Sequence, residues 1–331
     1  MTRILHLSDT HFGTEREPVV QALLRLANEW QPDLVLLSGD ITQRARGAQF
    51  AAARRFVQAL QRPVLAVPGN HDIPLFNVLA RWLNPYGGYR RAMGAVLEPA
   101  VEMPGLLAIG VNSTRPSRHK NGQVDRRQVE RVVQRLRKSS PDCLRIVVLH
   151  HPVRAAVESD QSNLLIGREW AVPAWIEAGV DLILGGHIHL PYVLPASELS
   201  TAVPPGLEAG TASANAFGIV DVPTMSDAAE AVGVLRGSDR ADVSEVSGAD
   251  ASSAAHVSGT VGASRRAWVV QAGTAVSQRV RGGISNSINL IEHEAGQGQH
   301  QCVIQRWDYA ADLQAFARAN SQTLDWSRGA R

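Results

Sequence analysis

The chain is poor in several things, and each shortage excludes something. Only two of its 331 residues are cysteine, Cys143 and Cys302. Both sit in apolar, strand-like runs and read as buried thiols rather than a disulfide, as a reducing compartment favours. Aromatic residues make up only 5% and interleave with no basic patch, which disfavours nucleic acid as a partner. The formal net charge is +2, a small excess dominated by arginine and weak grounds for an acidic partner. The longest apolar runs are strand-sized, well short of the roughly 18 residues a membrane helix needs. The opening MTRILHLSDTHFG has one arginine and a very short apolar run, so it does not read as a secretory signal. The expectation is a cytoplasmic protein that makes no membrane contact. Its oligomeric state is not legible.

What is present is a core. Hydrophobic residues are 44% of the chain, enough for one large or two ordinary domains. The first two-thirds alternates strand-like and helix-like segments. RILHL, DLVLLSGD, PVLAVPGNHD, LLAIGVN, LRIVVLHH and DLILGGHIH read as strands. PVVQALLRLANEW, AQFAAARRFVQAL, DRRQVERVVQRLRKS and GREWAVPAWIEAG read as helices, the last interrupted by Pro173. That alternation predicts an α/β fold with a largely parallel sheet. From 195 to 267 the texture changes to Ala, Ser, Gly, Val and Asp with almost no aromatics, which reads as a flexible low-complexity insertion. RAWVVQAGTAVSQRV, NSINLIEHE and QCVIQRWDYA then follow with no helix between them, as an antiparallel run. The tail 311–331, with LQAFARANSQTLDWSRGAR, is expected to hold a short helix.

The strand-like runs end alike. The first is followed by Asp9 and His11, the second by Asp40, the third by Asn70, His71 and Asp72. The run RIVVL is followed by His150 and His151, and DLILGG by His187 and His189. In a parallel sheet such ends share one edge, where α/β proteins place their sites. Glycine precedes Asp40, Asn70 and His187, allowing sharp turns and close backbone approach. Asp9 and His11 stand two apart, as do His187 and His189, so in extended chain each pair shares a face. Taken singly, Asp9, Asp40 and Asn70 are equally explained as turn formers. Taken together, the donors are carboxylate oxygen, imidazole nitrogen and amide oxygen, which suits Mn, Fe, Zn, Co or Ni better than Mg or Ca. Seven such donors exceed what one four-coordinate ion with an open position needs. They suit two adjacent ions sharing a carboxylate.

The ordered set Asp9-Thr10-His11, Gly39-Asp40, Gly69-Asn70-His71-Asp72, His150, Gly186-His187-Ile188-His189 resembles the signature of calcineurin-like metallophosphoesterases. The resemblance covers the chain to about Leu194 and resumes near Trp268. It implies two facing mixed β-sheets flanked by helices, an αββα sandwich, with the insertion standing apart. It implies that Asp9, His11, Asp40 and His189 hold one divalent metal ion. Asp40, Asn70, His150 and His187 would hold the second, with Asp40 bridging. It implies that His71 is the acid–base or phosphate-contacting residue and that Asp72 orients it. His150 is chosen over His151 because the family's ligand precedes "x-P". His6 then reads as a core or face residue, and His119, His256, His293 and His300 as surface positions. Arg44 is a candidate phosphate contact. Asn112 stays outside the catalytic set.

The implied reaction is hydrolysis of a small-molecule phosphodiester. Water shared by two ions loses a proton near neutral pH, and the hydroxide attacks phosphorus in line with the leaving oxygen. HLSDTHFG, GDITQRA and VPGNHDIP look most like the bacterial branch that includes 3′,5′-cyclic-nucleotide phosphodiesterases. The alternatives are a DNA-processing nuclease of the same superfamily and a non-catalytic scaffold on the same fold. The lipid-A pathway pyrophosphatases are disfavoured, because they have arginine where His71 stands.

Overall fold

The computed structural model describes residues 1–140, 142–197, 267–296 and 299–327. The expected insertion therefore lies almost wholly outside the described residues. The described strands form two six-stranded sheets. In the first, β1 (Thr2–Leu7), β2 (Leu34–Ser38) and β3 (Val64–Val67) run parallel, while β10 (Ser287–Gly296) pairs antiparallel with β1. Strands β11 (Gln299–Ala310) and β12 (Ala315–Ser327) extend that antiparallel side. The second sheet has the order β4 (Ala100–Met103), β5 (Leu106–Gly110), β6 (Leu144–Val148), β7 (Leu182–Gly185), β9 (Trp268–Gln271), β8 (Tyr192–Pro195).

Three apolar layers explain the stacking. The middle layer joins Ile4, Leu34, Leu36 and Leu65 of the first sheet to Leu144, Ile146, Leu182 and Val270 of the second. The outer face of the first sheet, with Leu5, Leu7, Val35 and Leu37, is covered by α1 (Glu17–Trp30) and α2 (Gly47–Ala59) through Val19, Leu23, Phe50 and Phe56. The outer face of the second is covered by α5 (Arg126–Lys138) and α6 (Arg168–Ala178), with Val132, Leu136, Val172 and Trp175 buried. β1 and β2 are thus apolar on both faces, which is why their sequences show no alternation. Two short helices, α3 (Val78–Leu83) and α4 (Gly87–Met93), follow the third strand. Local chemistry sets the boundaries. Pro18 stands in the first turn of α1, and Asp125 caps α5 by accepting from the Gln128 N–H at 2.9 Å.

Four expectations are corrected. Pro173 does not interrupt α6, which runs through it. The carbonyl that Pro173 leaves without an N–H partner belongs to the exposed Glu169, where water can take it. The tail is not helical, since residues 315–327 are a strand. Phe316 packs on Tyr309, ring centroids 5.8 Å apart, and both are buried, so pairing with β11 overrides the helical leaning of Ala and Arg. The late strands are not one antiparallel run, since β9 joins the second sheet, parallel to β7, while β10 joins the first. His293 is buried in β10, not a surface residue. His119 is exposed, His6 is fully buried, and His256 lies outside the described residues. Cys143 and Cys302 are both buried free thiols. Among the described residues no helix is long and apolar enough to cross a membrane.

Candidate metal centre

The carboxyl ends of β1, β2 and β3 from one sheet and of β6 and β7 from the other open at the same end of the sandwich. Each strand stops before its polar residues. β1 ends at Leu7 and β7 at Gly185, so the Asp9–His11 and His187–His189 pairs lie in loops. They do not share a face by extended alternation. Asp9, His11, Asp40, His187 and His189 all take positive φ, between 42° and 77°. That left-handed conformation costs a non-glycine residue of order 1–3 kcal/mol and persists only where surrounding structure holds it.

Here the loops hold each other. The Asp9 N–H donates to the Gly39 carbonyl at 3.1 Å, His11 N–H to the Asp40 carbonyl at 2.9 Å, and Gly186 N–H to the His150 carbonyl at 2.9 Å. The His187 N–H donates to Asp9 Oδ2 at 2.9 Å, and the His71 N–H to Asp40 Oδ1 at 2.8 Å. Glycine is required at two of these crossings. Gly39 has φ +91°, and a β-carbon there would lie 2.6 Å from the His150 ring. At Gly186 it would lie 1.8 Å from Ser8 Oγ and 2.5 Å from Asp9 Oδ2.

The expected residues converge. His189 Nε2 stands 3.2 Å from Asp9 Oδ1 and 3.2 Å from His11 Nε2. His11 Nε2 lies 3.8 Å from Asp40 Oδ2. His150 Nε2 lies 3.3 Å from Asp40 Oδ1 and 3.3 Å from Asn70 Oδ1. The His187 ring packs on that of His150, centroids 5.1 Å apart. Asp40 thus has His11 on one side and His150 on the other. Backbone carbonyls fix the tautomers. His150 Nδ1 faces the Ser38 carbonyl at 2.8 Å and His189 Nδ1 faces the Arg279 carbonyl. A carbonyl only accepts, so Nδ1 carries the hydrogen and Nε2 is the nitrogen left to face the Asp9 and Asp40 carboxylates.

Burial and charge pull against each other in this cluster. Burial pushes the Asp9 and Asp40 carboxyls up, yet His189 beside Asp9 and His150 beside Asp40 hold both below the usual range. Burial lowers His11 and His187 to about 3, so both rings are neutral. Asp9 Oδ1 and His187 Nε2 are buried with no hydrogen-bond partner. Buried polar atoms left unpaired are costly, and a bound cation would satisfy both. Four groups, Asp9–His11–His189, His11–Asp40–His71, Asp9–Asp40–His150 and His150–His151–His187, have ligand atoms within 4.8 Å of one another. His151 has other partners. Its Nδ1 lies 2.8 Å from Ser113 Oγ and its Nε2 2.9 Å from the Lys120 carbonyl.

The calcineurin-like phosphoesterase family profile matches residues 2–191, more than half of the chain. The chain belongs to the calcineurin-like phosphoesterase family. It is a metal-dependent phosphoric ester hydrolase. A Synechococcus protein named "Probable cyclic nucleotide phosphodiesterase" is 29% identical over 185 residues, 55% of this chain and 67% of that one. An Arcobacter nitrofigilis protein named "Probable glycerophosphodiester phosphodiesterase" is 26% identical over 200 residues, 56% of this chain and 71% of that one. A dimetal phosphatase from Danio rerio shares the fold, with a TM-score of 0.55 at 11% identity, 98% of this chain and 99% of the other being covered.

In this phosphoesterase His71 stands apart from the buried cluster. Its side chain is 21% exposed where those of His11 and His150 are 0%. Its Nδ1 faces the Gln43 carbonyl at 2.8 Å, and its Nε2 lies 3.1 Å from the Arg279 guanidinium and 3.9 Å from Asp40 Oδ2. Asp72 does not orient that ring. Its Oδ1 accepts from the Thr42 N–H at 2.8 Å and the Thr42 hydroxyl at 2.9 Å, and its Oδ2 from Ile41 N–H at 3.1 Å and Gly69 N–H at 2.9 Å. Both oxygens are thus engaged in tying the Asp40 loop to the Asn70 loop. The Gln43 carbonyl does the orienting. Burial and the nearby Asp40 charge raise the Asp72 carboxyl to about 6. Asn112 accepts from the Thr114 N–H and hydroxyl, a local turn.

Arg279 escaped sequence reasoning. It serves the site twice, with its carbonyl on His189 and its guanidinium on His71 Nε2. It belongs to no motif and follows β9, which pairs parallel with β7 rather than continuing an antiparallel run. The one available signal was the polar stretch GTAVSQR after the apolar run AWVV, the same pattern that marks the other loops.

Proposed function

We propose that the chain is a binuclear phosphodiesterase acting on small diesters. Asp9, His11, Asp40 and His189 hold one divalent ion, and Asp40, Asn70, His150 and His187 hold the other. The observation that carries this reading is the placement of Asp40 between His11 and His150, each with a coordinating nitrogen within 3.8 Å of its carboxylate. These residues would hold two divalent ions, which when bound would lower the pKa of water to near neutral and set positive charge against the phosphoryl oxygens. The identity of the metals follows from donor type only as far as Mn, Fe, Zn and their neighbours.

The remaining steps belong to the chain. The protein's own groups exclude bulk water from Asp9, His11 and His150, whose side chains are fully buried. His71 Nε2, at the exposed rim, delivers a proton to the departing alkoxide once it is itself protonated. The Gln43 carbonyl keeps the Nδ1 hydrogen in place, so the proton exchanged is the one on Nε2. Arg279 adds fixed positive charge beside that nitrogen, where a non-bridging oxygen gains negative charge in the transition state. Asp72 acts as a clamp between two ligand loops. The names of the two sequence relatives both denote diesters, which supports a diester over a monoester, and cyclic nucleotides and glycerophosphodiesters are the first substrates to try.

The test is hydrolysis of bis-p-nitrophenyl phosphate by the Mn²⁺-loaded protein, before and after chelation, beside 3′,5′-cyclic AMP and linear DNA. Turnover that chelation abolishes and Mn²⁺ restores is the expected result. Absence of metal-dependent turnover of any diester indicates a scaffold, and cleavage of linear DNA alone indicates a nuclease.

A further inference from the structure

The two loops that carry Asp40 and His71 continue into the walls of a cavity of about 600 Å³. Four arginines line it, Arg44, Arg46, Arg54 and Arg91, and no lining residue is acidic. None of the four is paired with a carboxylate among the described residues, whereas Arg131, Arg137, Arg281 and Arg306 each are. The Arg44 guanidinium lies over the Phe76 ring, 5.3 Å from its centroid, and Phe50 adds a second aromatic side chain to the lining. Phe76 itself is 76% exposed.

Concave positive surface without counter-charges raises the local concentration of anions. The volume is that of a small-molecule site. Arginine forks match phosphate oxygens two at a time, and the aromatic faces suit a planar ring. The cavity also adjoins the chemistry. Gln43, whose carbonyl orients His71, is bonded directly to Arg44, and Pro74 in the wall lies two residues beyond Asp72. We propose that this cavity binds a terminal phosphate of the substrate, remote from the phosphodiester being cleaved. The preferred substrate is then a small nucleotide diester carrying a second phosphate, with a base against Phe76. This inference rests on the phosphodiesterase reading for the scissile group only.

The test uses Mn²⁺-loaded protein and two dinucleotides that differ by a 5′-terminal phosphate. Their linkage is a phosphinate with methylene in place of both bridging oxygens, which leaves no ester bond to hydrolyse, so binding is measured by calorimetry whether or not turnover occurs. The phosphorylated form is expected to bind about five- to tenfold more tightly, as two exposed charge pairs allow, with the advantage shrinking as salt rises. Arg54→Glu with Arg91→Glu should abolish that advantage, and Arg54→Lys with Arg91→Lys should keep most of it. Equal binding of the two forms by the wild type, or an advantage that survives charge reversal, overturns the proposal. Pyrophosphate that binds through Arg54 and Arg91 without displacing the phosphorylated dinucleotide also overturns it, since the cavity would then serve a free anion. A charge-dependent advantage in a protein that turns over neither bis-p-nitrophenyl phosphate nor either natural dinucleotide supports phosphate recognition by the cavity while sinking the phosphodiesterase reading.

Discussion

The metal-ligand cluster and the arginine-lined cavity lie side by side and are built on opposite plans. In the cluster charge is buried, opposite signs face each other, and His150 and His189 are each pinned by a backbone carbonyl. In the cavity charge is of one sign and paired with no carboxylate among the described residues, and Arg46, Arg54 and Arg91 are exposed. The first arrangement holds its atoms through mutual contacts at the cost of strained φ angles. The second tolerates a range of ligand positions and offers a field. His71 and Arg279 stand on the border, half-buried, with the His71 ring between the Gln43 carbonyl and the Arg279 guanidinium. Coordination calls for rigidity, and substrate recognition here calls for access.

That contrast orders the expected effects. Asp40→Ala strikes the cluster at its centre and should lower turnover by about a thousandfold or more, with metal per chain falling from two towards one. Elemental analysis beside kinetics checks it, and retention of two metals would blur the line between cluster and border. His71→Gln should leave metal content near normal while lowering turnover by about a hundredfold or more, most for diesters with poor leaving groups. An unchanged dependence on leaving group would remove His71 as proton donor. Arg279→Ala should cost about ten- to a hundredfold in kcat with little change in metal content, and Arg279→Lys should recover part of it. Loss of metal in both Arg279 variants would assign the side chain to the cluster rather than to the border.

The convergence of the candidate ligands was legible because each follows directly after an apolar run, often behind a glycine. Such positions are written locally. The two-sheet arrangement came from resemblance rather than from alternation, since a parallel βαβ pattern does not say where one sheet stops. What stayed hidden is non-local. Nothing near Phe316 announces Tyr309 as its partner, so the Ala- and Arg-rich tail read as helix. Nothing near Arg279 announces His71, 208 positions away in the chain. The resemblance gives Asp72 the part of orienting His71, yet its oxygens face the Ile41 and Thr42 N–H groups of the neighbouring loop and the Gly69 N–H of its own.

Anomalous diffraction from crystals grown with Mn²⁺ probes the shared-carboxylate centre without any substrate. Two manganese peaks are predicted, one among Asp9, His11 and His189 and one among Asn70, His150 and His187, with the Asp40 carboxylate touching both. A single peak, or two with Asp40 turned away from either, would contradict it.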